Sequence, residues 1–186
     1  MNESIEKEQE YNSRPESLFD THPNRVSRLV CAALLTGVVD GLFSSVLSVA
    51  AYNSTVSRLF QGVASVLLGN EAFNGGAKTV ALGVLMHFSV AFVWSGIFLF
   101  LVLRWPWARA VLKSRYGVAK VASMYGPFVW MVMSLAVIPA LTHRAPAITI
   151  RWWVQLIGHI PFVGLPIVAC SFRATPSAQG YKNEVR

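Results

Sequence analysis

The sequence predicts an all-α integral membrane protein: a four-helix bundle of transmembrane spans, with a short amphipathic helix, interfacial or re-entrant, between spans one and two. Three observations predict it. Hydrophobic residues make up 54% of the chain and charged residues 13%, about half the charged share of an average soluble domain. Four apolar runs approach or exceed the length that marks a membrane-crossing helix. Charge is also segregated. Residues 1–20 hold six acids against Lys7 and Arg14, a net of −4, whereas the rest holds fourteen basic and three acidic residues, a net of +11. Between His22 and Tyr181 the only acids are Asp40 and Glu71. The basic excess therefore belongs to membrane-flanking loops and anionic lipid. No motif points to nucleic acid as a partner.

Residues 1–24, rich in Glu, Ser and Asn without apolar periodicity, read as a polar, disordered cytoplasmic tail. Their acidic character does not match the short basic start of a signal peptide, so no cleaved leader is expected. The bundle itself spans residues 25–172.

Span one covers residues 29–51 and carries Asp40 near its middle. A carboxylate at that depth costs at least about 2.5–3.5 kcal/mol on insertion scales, so it should face protein or water. Ala33, Gly37, Asp40, Ser44 and Ser48 fall on one helical face, extended by Gly41 and Ser45. Small residues at this spacing let a second helix approach closely.

Residues 54–68 repeat Val56, Leu59, Phe60, Val63, Val66 and Leu67 at helical spacing, with Ser57, Arg58, Gln61 and Ser65 opposite. This is the amphipathic helix, with Asn53 or Ser54 as its N-cap and Gly69 as its stop. A lid across an opening is the functional alternative to a plain interfacial helix. The following NEAFNGGAK turn lacks the spacing of a phosphate loop.

Span two covers residues 79–103, with Gly83, His87, Ala91 and Trp94 on one face. The loop after it is basic (Arg104, Arg109, Lys113, Arg115, Lys120), and Trp105 and Trp107 fit an interfacial aromatic belt. Span three covers residues 116–141 and holds Tyr125, Pro127, Met131, Met133 and Ser134. Pro127 predicts a kink, and Pro139 the helix end. Span four covers residues 152–171, where GHIPFVGLPI predicts a bend or a break. Residues 173–186 form a short polar tail. Ten basic residues flank one side of these spans and four the other. The positive-inside rule places both termini in the cytoplasm. Cys31 and Cys170 then lie toward the reducing side as free thiols, and a disulfide requires spans one and four to be neighbours.

These boundaries put Asp40 roughly 16 Å, His87 roughly 12 Å and His159 roughly 10 Å from the outer ends of their spans. Asp40, His87 and His159 are therefore the candidate polar site, with Gln61, Tyr125, Met131 and Met133 as secondary candidates. Three roles are open to the set: a hydrogen-bonded group that fixes helix packing, a proton relay or substrate site in a small transporter, and a transition-metal site. The last ranks lowest, because no tight HxxxH, ExxH or CxxC spacing supports it. No GxSxG, HExxH or paired-carboxylate motif points to an enzyme. No catalytic residue, metal or cofactor is expected.

An aspartate in span one, then LFQGVASVLLGNEAFNGG, ALGVLMHFSVAF, YGPFVWMVMSLAVIPAL and GHIPFVGLPI together resemble an uncharacterised family of four-span bacterial inner-membrane proteins over residues 30–172. The resemblance implies this architecture and a bacterial inner-membrane location, and no catalytic roles. The expected function is that of a small transporter-like bundle. The alternative is a non-catalytic structural or accessory subunit of a larger membrane complex. The partners expected are the lipid bilayer and a membrane-protein partner or a second copy of the chain.

Overall fold

The computed structural model describes residues 25–172. The two tails expected at residues 1–24 and 173–186 lie outside them. Four helices are long and apolar enough to cross a membrane. They are α1 (Arg25–Tyr52), α3 (Gly76–Phe100), α5 (Gly117–Thr142) and α6 (Ile150–Ser171). Two shorter helices join them, α2 (Val56–Leu68) and α4 (Pro106–Leu112). The described residues contain no strand. Large apolar side chains such as Leu42, Val46, Leu85, Val93, Met124 and Ile157 point outward. That is the expected surface for a bundle whose solvent is hydrocarbon.

The helices form a ring in the order α3, α1, α6, α5, and α6 touches all three other spans. In α6, 56% of the most apolar window is buried, against 28% in each other span. The least apolar of the four spans is thus the most enclosed, because it alone needs few lipid-facing positions. One end of the bundle is packed by Trp94 and Phe98 of α3, Leu112 of α4, Val121, Ala122, Tyr125 and Val129 of α5, and Val163, Ile167 and Val168 of α6. The Tyr125 hydroxyl donates to the Trp94 carbonyl at 2.7 Å, so the one polar atom of this ring is satisfied within the core.

Local structure departs from expectation in several places. The N-cap of α2 is Thr55, not Asn53 or Ser54: its side chain accepts a hydrogen bond from the Arg58 amide at 3.1 Å. Asn53 instead takes a left-handed φ of 49° just after α1 ends. Gly69, at φ 60°, ends α2 as expected, and a 3-10 turn (Gly69–Phe73) leads to Gly76, at φ 57°. The α2 backbone lies directly on α3. A Cβ at Gly83 would run into the Phe60 carbonyl, so α2 docks through main-chain contact. The basic loop contains α4, which the periodicity did not reveal because seven residues are too few to show it. Pro106 starts it, where a missing amide proton costs nothing.

Pro127 does not break α5, which runs on past it as regular helix to Val132. The irregularity comes later, as a π-helical stretch over Met133–Val137, and α5 ends at Thr142, beyond Pro139. The bend or break expected in α6 is likewise a π-helical stretch, Ile160–Gly164. Prolines 161 and 166 remove amide donors there, and a wider i to i+5 turn keeps the helix continuous.

Candidate functional site

Asp40, at the centre of α1, lies about 18 Å from Tyr52 at 1.5 Å per residue. The residue is 9% exposed and its side chain faces the bundle. The small-residue face explains how neighbours reach it. A Cβ at Gly37 would overlap the Phe88 ring, and one at Gly41 would stand 3.4 Å from His87 Nε2. The two glycines thus leave room for two aromatic rings from α3. His87 Nε2 sits 3.0 Å from the Gly37 carbonyl and 4.0 Å from Asp40 Oδ2. A carbonyl only accepts, so the contact with Gly37 requires Nε2 to carry a proton. Neutral His87 then keeps an acceptor at Nδ1.

The opposite wall is α6, and its register against α1 is regular. Arg151 Nη2 donates to Ser48 Oγ at 3.2 Å, and Gln155 Nε2 donates to Ser44 Oγ at 3.3 Å. Each step moves four residues up one helix and four down the other. The next step sets His159 opposite Asp40. His159 is 7% exposed and within electrostatic reach of both Asp40 and His87. Its Nδ1 lies 2.7 Å from the Gln155 carbonyl, which requires a proton on Nδ1 and leaves Nε2 to accept. Trp130 of α5 covers it, with ring centroids 4.8 Å apart. Two buried acceptor oxygens in this seam, Asp40 Oδ1 and Gln155 Oε1, have no hydrogen-bond partner among the described residues.

The secondary candidates go elsewhere. Gln61 is buried on α2. Tyr125 is tied to Trp94 in the apolar core. Met133 packs against that core, whereas Met131 is 39% exposed on the outer surface of α5. Among the described residues, no group of three His, Cys, Asp or Glu side chains is arranged to hold a metal ion. Arg151, Ser44, Ser48 and Gln155 were not candidates. A period of four does run through Arg151, Gln155 and His159, and through Asp40, Ser44 and Ser48. That shared period is the signal that would have paired the two helices.

Two surface grooves lie away from these groups. One, of about 320 Å³, runs between α1 and the start of α2 (Ser45, Val46, Val49, Ala50, Val56). The other, of about 290 Å³, lies beside the turn from α4 to α5. Asp40, His87 and His159 line neither. No protein-family model, curated protein or solved structure matches the chain.

Proposed function

We propose that this membrane protein is a small transporter-like bundle of the bacterial inner membrane, in which Asp40, His87 and His159 pass protons between α1, α3 and α6. The observation that carries the reading is the Asp40–His87 pair at 4.0 Å with His159 in electrostatic reach of both, three titratable side chains from three helices at mid-bundle, with Asp40 Oδ1 and Gln155 Oε1 without donors among the described residues. Intramembrane ionisable groups are expensive and mark ion and proton pathways. The tautomers that the backbone contacts impose leave a lone pair on each imidazole, which is what a relay needs.

The test is proton flux. In phosphatidylethanolamine/phosphatidylglycerol vesicles carrying a pH-sensitive dye, the wild-type chain is expected to dissipate an imposed pH gradient. Asp40→Asn keeps the shape of the side chain and removes its titration, and should slow the flux by about 10²-fold, the lower end of acid–base effects. Equal fluxes for the two proteins would overturn the relay. A wild-type chain without flux that co-purifies with a fixed membrane partner would leave the accessory-subunit reading in its place.

A further inference from the structure

The sequence has two cysteines, and the fold brings them together from 139 residues apart: Cys31 Sγ and Cys170 Sγ are 2.9 Å from each other, both as thiols with no disulfide between them. They join the same two helices as the polar seam, at its far end. Arg151–Ser48 and Gln155–Ser44 hold one end of the α1–α6 pair, and the thiols face each other at the other. The two sulfurs are not equivalent. Cys170 is 6% exposed, whereas Cys31 is partly open, near the start of α1. Arg28 stands one turn before Cys31, on the same side of the helix.

From this geometry we infer that Cys31 and Cys170 are a disulfide-forming site, closed by thiol–disulfide exchange with a small acidic disulfide of the glutathione class. Cys31, the reachable sulfur, attacks one sulfur of the small disulfide. The small S–S bond breaks, one small thiol leaves with the Cys31 proton, and a mixed disulfide forms on Cys31. Cys170 then attacks the Cys31 sulfur, its proton going to the second small thiol as that leaves. Two protein thiols and one small disulfide become one protein disulfide and two small thiols, so electrons and protons balance. The Arg28 guanidinium favours the approach of an anionic reagent to the end of α1. The product ties span one to span four and closes the α1–α6 seam at both ends. It does not depend on the proton-relay reading, since no sulfur takes part in that relay.

The experiment uses the full chain in phosphatidylethanolamine/phosphatidylglycerol vesicles, exposed to oxidised glutathione, then denatured and labelled with a maleimide polymer that shifts the band once per free thiol. Untreated protein should show two shifts, oxidised protein none, and oxidised protein treated with dithiothreitol two again, all at the mobility of a monomer. Cys170→Ser should stop at the mixed disulfide, with one glutathione on Cys31 by mass. Cys31→Ser should remain unmodified at the same exposure. Two persisting shifts in the wild type, glutathione retained on both cysteines, or a cross-linked dimer would each overturn the site. Modification of Cys31→Ser as fast as Cys170→Ser would overturn the assigned order of attack. The wild-type result does not rest on either variant folding.

Discussion

The two ends of this bundle are filled by different chemistry. The end near α4 is closed by Trp94, Phe98, Leu112, Val121, Val129, Val163, Ile167 and Val168, an apolar cluster with one satisfied hydroxyl. Toward the α2 end, the α1–α6 interface carries Asp40, Ser44, Ser48, Arg151, Gln155 and His159. In lipid this difference bears on stability in an unfamiliar way. Burying an apolar side chain gains little over leaving it in hydrocarbon, so the apolar end contributes through close packing. The polar end contributes interhelical hydrogen bonds averaging about 0.6 kcal/mol each, two of them at 3.2 and 3.3 Å. It also buries two acceptor oxygens that find no donor among the described residues. An interface built for stability alone would use Leu or Ala there. Under the proposed relay, the polar end is the working half and the apolar end its anchor.

That contrast can be broken by mutation. The largest loss should come from Gly126→Leu, at the border of the two halves, where a Cβ would already strike the His159 carbonyl. Forcing α5 off α6 should cost about 3 kcal/mol or more, at the severe end of overpacking. A thermal unfolding midpoint in detergent equal to wild type would refute that close approach. Phe98→Ala empties a site that is 0% exposed. Such truncations cost about 3–5 kcal/mol in water-soluble cores. In lipid the transfer contribution shrinks and the cavity contribution remains, so about 2–3 kcal/mol is expected from the same unfolding measurement. The smallest change should come from Gln155→Leu, which removes one long hydrogen bond and one unpaired buried oxygen together. Those effects oppose each other, and the net should fall within about 0.6 kcal/mol of zero. A loss as large as that of Phe98→Ala would make the polar seam the anchor and reverse the comparison.

Parts of the site were legible early. Asp40 was conspicuous because charge is rare in apolar runs, and the depths of His87 and His159 followed from counting residues inward from the span ends. The small-residue face of α1 was readable too, since helical period alone groups Gly37, Gly41, Ser44 and Ser48. Met131 shows where such counting fails. It shares the depth of the polar groups but points outward, because depth along a span says nothing about rotation around it. Proline positions located the irregular turns only in part: α6 widens at Ile160–Gly164, within the stretch expected to bend or break, whereas α5 stays α-helical past Pro127 and widens only at Met133–Val137. Proline removes a donor, but whether a helix kinks, breaks or widens into a π turn depends on what neighbouring helices pack against it.

The sequence by itself determined the class of solvent this chain meets, the number and approximate limits of its spans, and the polar groups that cannot face lipid. Those are properties of composition and period, and they need no knowledge of neighbours. Tertiary structure decided that α6, the least apolar span, is the one the others enclose. It also decided that α1 and α6 run against each other in a register that pairs Ser48 with Arg151 and Ser44 with Gln155 and leaves His159 within electrostatic reach of Asp40. The same packing brought Cys31 to Cys170. Hydropathy scores each helix against lipid and is blind to which helix faces which, and only side-chain fit between pairs of helices settles that choice.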